Sequence, residues 1–357
     1  MAKKDLQNAS KSKNDEFYTQ LSDIEKEVNN YKEQFKGKIV FCNCDDPYES
    51  NFFKYFALNF NALQLKKLIA TCYFPSPIAG YQLSLFEDNP HKKEPVKHAF
   101  KIEIKEVKDL NGDGSIDLAD VKELLRNDKN VLSQLKGDGD FRSDECIKLL
   151  KESDIVVTNP PFSLFREYVA QLVKYGKHFI IMGNTNALTY KEIFHMFQYD
   201  QIRTGYTNFN VGMYFYVPDY YEKFHKIENG RKMVRVSTSC WYTNLKVKRH
   251  SEEIILYKRY SPAEYPKYDN FNGINVNKYI DIPYDYDGIM GVPITFLDKY
   301  NPKQFEIIKF RKGDDDKDLR INGKSTYFRI LIRRRQQQTS EDANIAADSG
   351  TQYGVDE

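Results

Sequence analysis

Asn159-Pro160-Pro161-Phe162 is a tetrapeptide whose groups suit a definite reaction. An exocyclic amine on a nucleobase is a poor nucleophile, because its lone pair is delocalised into the ring. A side-chain amide oxygen from Asn159 and the backbone carbonyl of Pro160 can accept both of its N–H bonds and draw the nitrogen toward tetrahedral geometry. Neither acceptor has to be a strong base. Phe162 adds a flat apolar face on which a base taken out of a duplex can stack.

The flanking residues dictate how that turn is held. Ile155, Val156 and Val157 form the short β-branched run of a strand buried on both faces. Pro160 and Pro161 cannot donate to a sheet ladder, and each disfavours helix in the residue before it, so the strand stops at Asn159. Ser163 is placed to cap a helix whose apolar positions Leu164, Phe165, Tyr168, Val169, Leu172 and Val173 recur at helical spacing. The turn is thus expected at the carboxyl end of a strand, where open α/β sheets place their ligands. As a bare tripeptide, Asn-Pro-Pro is as readily an ordinary turn; the strand before it and the helix after it favour the site.

In that setting the tetrapeptide resembles the catalytic motif of S-adenosylmethionine-dependent amino-methyltransferases, with Asn in first place favouring adenine N6 over cytosine N4. Upstream, residues 38–47 read as a strand and its exit. The exit, Cys44-Asp45-Asp46-Pro47, is similar to the first cofactor motif of a narrower family, the EcoRI-type adenine-specific DNA methyltransferases. The glycines that the wider class places after Asp-Pro are replaced here by Tyr48-Glu49-Ser50-Asn51-Phe52-Phe53. By this resemblance Asp45, Asp46 and Pro47 face the amino-acid part of S-adenosylmethionine, and Phe17, Tyr18 and Thr19 border its methionine end. Asp140 and Phe141, in the segment 137–143, bear on its adenine ring: a carboxylate accepting from the amino group and an aromatic covering a face. The plainer readings are that Phe17 and Tyr18 anchor a helix and that 137–143 is a glycine-rich turn. The run 68–73 reads as the next strand and ends in no acidic residue for the ribose hydroxyls.

The resemblance spans residues 15–335 by motif order and implies an α/β fold: a Rossmann-like S-adenosylmethionine-dependent methyltransferase domain with a smaller, irregular C-terminal DNA-recognition region. It implies methyl transfer to a flipped adenine in a specific short sequence of double-stranded DNA, with Asn159, Pro160, Pro161 and Phe162 as catalytic residues. A cognate restriction endonuclease would then act beside it without a stable complex. Two alternatives stay open at this stage: methylation of a glutamine side chain in a protein, which Asn-Pro-Pro turns also serve, and a non-enzymatic DNA-binding protein whose cofactor site has decayed, motivated by the missing glycines.

Composition bounds these readings. A chain of 357 residues with 41% hydrophobic residues can build a sizeable core and hold two domains. Its 26 Tyr and 24 Phe are too many to hide, so some must reach the surface or line a groove. The net charge of +2 is small, and any nucleic-acid footprint must come from local asymmetry. Residues 221–260 carry 10 Lys or Arg against 4 Asp or Glu, which makes them the expected phosphate-facing stretch, whereas 109–154 carry 12 acidic against 7 basic residues and are expected to face away from DNA. Five cysteines without a paired CxxC spacing, no signal peptide and no membrane-spanning run point to a reduced, cytoplasmic protein without a membrane partner.

Further elements follow in chain order. Residues 1–14 read as a disordered lead-in, 15–250 as the catalytic domain, 251–335 as the target-recognition region and 336–357 as a disordered tail. Phe17, Leu21, Ile24, Val28, Tyr31 and Phe35 are spaced for one helix, and residues 75–100 read as a surface insertion. Residues 109–120 match a calcium loop at Asp109, Asn111, Asp113 and Asp120, with Asp in place of the usual twelfth Glu, against the alternative of a self-capped polar loop. Residues 213–217 and 234–238 read as a strand pair closing the sheet, and Trp241 as core or as a wall of the flipped-base pocket.

Overall fold

The chain enters the structure, a computed structural model that describes residues 18–44, 50–71, 99–110, 117–127, 132–217, 219, 221–311 and 318–335, through a short strand, β1 (Tyr18–Thr19), and a helix, α1 (Leu21–Val28). The helix expected to run unbroken to Phe35 is interrupted by a 3-10 turn, Asn29–Tyr31, before α2 (Lys32–Phe35). The Asn30 amide donates to the carbonyls of Lys26 (2.8 Å) and Glu27 (3.1 Å), competing with the backbone for the acceptors of the next turn. The apolar stripe survives the break, with Ile24, Val28, Tyr31 and Phe35 all buried.

Next come β2 (Ile39–Cys42), α3 (Asn51–Leu58), β3 (Lys67–Thr71), β4 (Phe100–Ile104), α4 (Leu118–Asn127) and β5 (Leu132–Gln134). Ser50 caps α3 by accepting from the backbone N–H groups of Phe52 and Phe53. After α5 (Asp144–Glu152) follow β6 (Ile155–Thr158), α6 (Phe165–Lys174), β7 (His178–Asn184), α7 (Lys191–Gln198) and β8 (Arg203–Thr204). The N-terminal unit then closes with β9 (Met213–Tyr216), β10 (Lys226–Glu228), β11 (Arg231–Val236) and β12 (Ser239–Thr243).

Eight of these strands form one mixed sheet in the order β5-β4-β3-β2-β6-β7-β12-β8. Its centre, β3-β2-β6-β7, is parallel and its outer pairs are antiparallel. Every residue of β2, β3 and β6 is buried, as their β-branched and apolar runs require. From β2 the chain moves outward to β3 on one side and returns to β6 on the other, so the carboxyl ends of β2 and β6 flank a topological switch point.

The strand pair expected to close this sheet does something else. β9 and β11 do pair, but within a separate four-stranded sheet of order β1-β9-β11-β10. The large sheet is closed by β12 and β8, because Ser-Cys-Trp-Tyr-Thr is buried throughout and pairs along β7 from Asn184 to Ile180. Trp241 is accordingly core, fully buried with its ring edge-on to Phe52 at 6.0 Å between centroids.

The chain divides into two compact units, residues 1–247 and 248–357. Within the second, β13 (Ile274–Asn275), β14 (Met290–Val292), β15 (Phe305–Arg311) and β18 (Arg329–Arg334) form a sheet in the order β13-β14-β18-β15, and β16 (Arg320–Ile321) and β17 (Lys324–Ser325) a small hairpin. Asn275 anchors this unit: its side-chain oxygen accepts from the Tyr268 hydroxyl (3.0 Å) and from Arg329 Nε (2.8 Å). Among the described residues, no helix is long and apolar enough to cross a membrane.

Candidate functional site

The site is built where β6 ends. Val157 and Thr158 are buried, Asn159 is half-buried, Pro160 is buried, and Pro161 and Phe162 are half-buried. Phe162–Leu164 form a 3-10 turn, with Leu164 N–H donating to the Pro161 carbonyl at 3.0 Å and Phe165 N–H to that of Phe162. These bonds lie downstream of Pro160. Ser163, expected to cap the helix, lies inside this turn; α6 begins at Phe165 with no side-chain cap. Helical winding already begins at Phe162, with Pro161 in the capping position, so Ser163 falls inside the first turn.

Two packing features fix the turn. The Thr158 hydroxyl donates to the backbone carbonyl of Asn43, just past β2, and the Asn43 side chain accepts from the Thr71 hydroxyl (3.0 Å) and from Cys44 N–H (2.9 Å). Asn43 therefore joins the carboxyl ends of β2, β3 and β6. On the other side, Phe165 packs on Tyr242 at 5.1 Å, above Gly183 of β7. A Cβ at Gly183 would lie 2.5 Å from the Phe165 ring and 2.8 Å from Tyr242, so only glycine lets α6 start so close to the sheet.

Phe141 is docked onto the helix that follows the turn, with Asp140 immediately before it. Phe141 is buried with its ring edge-on to Tyr168 of α6 at 5.0 Å, and its carbonyl accepts from Gln171 Nε2 at 2.8 Å. Asp140 takes a two-pronged pair from Arg142, Nε at 2.8 Å and Nη2 at 2.6 Å, plus the Arg142 backbone N–H at 2.8 Å. This Arg142 bonding holds the Asp140 carboxyl below its ordinary range. Arg142 also lies over the Phe141 ring at 5.2 Å.

Thr19 stands close to the β2 side of the site. Its carbonyl accepts from Asn51 Nδ2 (2.8 Å), at the start of the helix that follows the β2 exit, and its buried hydroxyl finds no hydrogen-bond partner among the described residues. Tyr18 is half-buried beside it in β1. Phe17, Asp45, Asp46 and Pro47 lie outside the described residues. The structure thus gathers Asn159, Pro160, Pro161 and Phe162 on one turn, and Phe141 against its helix with Asp140 next to it.

The loop after β8 holds a residue that sequence reasoning missed. β8 runs parallel to β7, so its carboxyl end falls on the same edge of the sheet as Asn159. There the buried Glu27 carboxylate accepts from the backbone N–H groups of Tyr206 and Thr207, the Thr207 hydroxyl and the Tyr31 hydroxyl, each at 2.7 Å. Burial pushes its pKa up despite those donors. A glutamate one residue before Val28 in an amphipathic helix looks solvent-facing from sequence, and nothing local marks it as a clamp.

Of the residues expected to form a calcium loop, Asp109 is half-buried and Asp120 is buried. Asn111 and Asp113 lie outside the described residues, and Asp120 is buried with its oxygens accepting from the backbone N–H groups of Leu110 and Asp117, both at 2.8 Å. Asp120 thus caps the backbone at Leu110 and at Asp117. Among the described residues no group of His, Cys, Asp and Glu is arranged to hold a metal. Cys42, Cys146 and Cys240 are buried and Cys44 is half-buried, and Cys72 lies outside the described residues.

Comparison with known proteins bears on the whole chain. Residues 5–335 match the family described as adenine-specific methyltransferase EcoRI. The chain is 50% identical over 339 residues to the type II methyltransferase M.EcoRI of Escherichia coli, which covers 93% of this chain and 97% of that protein. It is 37% identical over 352 residues to the type II methyltransferase M.MpnI of Mycoplasma pneumoniae, covering 92% and 97%, and 36% identical over 357 residues to M.MgeORF184P of Mycoplasma genitalium, covering 92% and 98%. No solved structure matches.

Proposed function

Because the chain belongs to the EcoRI family of adenine-specific methyltransferases, we propose that it transfers the methyl group of S-adenosylmethionine to N6 of an adenine flipped out of double-stranded DNA. It is an adenine-specific DNA methyltransferase of the restriction-modification type. The observation that carries the mechanism is the placement of Asn159-Pro160-Pro161-Phe162 at the carboxyl end of β6, beside the switch point with β2. The parallel centre of the sheet supports a Rossmann-like reading of this unit.

The residues present suit the cofactor. The Thr19 hydroxyl, buried and without a partner among the described residues, is a polar group next to the β2 exit that a bound ligand would satisfy. Asp140 Oδ2 receives one hydrogen bond from Arg142, and a carboxylate oxygen has room for a second, which fits an adenine amino group. Phe141, buried against Tyr168, then shapes that end of the site. Asp45, Asp46 and Pro47 remain assigned to the amino-acid part, and Phe17 and Tyr18 to the methionine end.

S-adenosylmethionine supplies a methyl group on a sulfonium that is already a good leaving group. The protein's own work is positioning. Asn159 Oδ1 and the Pro160 carbonyl accept the two N–H bonds of the adenine amine, hold N6 toward tetrahedral geometry and stabilise the positive charge that develops on it. Pro161 keeps the turn from becoming helix, and Phe162 stacks on the base. Residues 251–335 are assigned to reading the target sequence, with a cytoplasmic location beside the DNA and a cognate nuclease that acts separately.

The test is transfer of isotope-labelled methyl from S-adenosylmethionine into unmethylated plasmid DNA, followed by digestion to nucleosides. Label in N6-methyldeoxyadenosine supports the reading. Label recovered in N4-methyldeoxycytidine or in protein, or none with the cofactor bound, refutes it.

A further inference from the structure

The small sheet β1-β9-β11-β10 has two unlike faces. Directly opposed residues on antiparallel strands share a face, so Met213, Phe215, Val234 and Val236 form one side, and it is packed into the core. The other side carries Tyr214 opposite Arg235, and Lys226 in line with Met233 and Tyr216. Its cations are laid on its aromatic rings: Arg231 over Tyr216 at 4.5 Å and Lys226 over Tyr214 at 4.7 Å. Arg235 is exposed and donates through Nη2 to the Val211 carbonyl at 3.2 Å. Glu228, paired with Lys226 at 3.2 Å, is the one carboxylate in this paired register.

We propose that this face is a docking surface for the sugar-phosphate backbone of duplex DNA, on the catalytic unit itself and distinct from the region assigned to base reading. The inference rests on the proposed DNA substrate. Charge complementarity carries it: Lys226, Arg231 and Arg235 against Glu228 give the face a net positive charge, and residues 221–247 of this unit carry 6 basic against 2 acidic residues. Stacking on Tyr214 and Tyr216 restricts the long cationic side chains before DNA arrives, which lowers the entropy lost on binding. Cations interleaved with tyrosines are the footprint of phosphate positioning, sequence-independent and salt-sensitive.

The experiment measures the affinity of the full chain for a short fluorescent duplex as a function of salt, for the wild type and for Arg231→Gln, Arg235→Gln, Arg231→Lys, Arg235→Lys and the control Lys108→Gln. Each Gln variant should reduce the slope of log K against log salt by about 1, while the Lys variants and the control retain it. Unchanged slopes in the Gln variants overturn the proposal, meaning that the cations only cover the tyrosines. Equal losses in the Gln and Lys variants also overturn it, since that pattern reports a packing role. Wild-type protein that binds the duplex without methylating adenine would instead count against the reaction assigned above, and the two failures are thereby distinguished.

Discussion

The hydroxyl of Thr158 donates to the backbone carbonyl of Asn43, so the residue before Asn159 is tied to the strand exit across the switch point. Both groups are buried. Thr158→Val keeps the shape and removes the donor, leaving a buried carbonyl short of a partner, a cost of about 1–3 kcal/mol. Urea denaturation should show that loss. Because Asn159 is the next residue, methyl transfer should fall by more than the small change in cofactor affinity, and unaltered turnover would mean that the clip does not position the turn.

Gly183→Ala tests the docking of α6. A methyl group there would enter the space of the Phe165 ring and Tyr242, and overpacking of this kind costs about 1–3 kcal/mol. The variant should have a lower Tm and a reduced kcat, because the displaced Phe165 opens the 3-10 turn beginning at Phe162. A Tm equal to that of the wild type would show that the helix start can retreat freely.

Phe162→Ala should weaken capture of the flipped base by about 1–3 kcal/mol, the value of one stacked base. The loss should appear in KM for DNA and in the fluorescence of a duplex carrying 2-aminopurine at the target. Cofactor affinity should be retained.

A pH experiment addresses Asp140. Its folded pKa lies below that of the unfolded chain, so the Arg142 pair contributes stability above the unfolded value of about 3.9 and loses it as pH falls through the lower folded value. Arg142 is about half exposed, with its side chain at 48%, so the pair is worth about 1 kcal/mol or less. Arg142→Gln should shift the acid loss of S-adenosylmethionine affinity upward toward the ordinary carboxylate range. Calorimetric titration across that range checks it, and an unmoved midpoint would remove Asp140 from the cofactor site.

Much of this arrangement was legible in the sequence because local rules dictate it. The β-branched run 155–157 and the two prolines after it set the end of β6 without help from the rest of the chain. Residues whose roles depend on distant partners were not legible. Glu27 meets Tyr206 and Thr207 across half the chain, and Asn43 matters through Thr158 and Thr71. The strands closing the sheet were misassigned for the same reason: 213–217 and 239–243 are equally strand-like alone, and only the register along β7 decides between them. Ser163 is a good cap by type, but winding starts at Phe162 and leaves Ser163 inside the first turn.

The proposed reaction places adenine N6 of DNA at the turn that carries Asn159. Its most direct test expresses the wild type and Asn159→Ala in a host lacking adenine methylation and maps N6-methyladenine across the genome by single-molecule sequencing. The wild type should modify one short motif throughout. Asn159→Ala should lose about 10²–10³-fold or more in rate, the cost of removing a transition-state hydrogen-bond partner, with Tm and cofactor affinity preserved. A genome left unmodified by soluble, cofactor-binding wild type, or a variant that modifies the motif at near-normal rate, would contradict it.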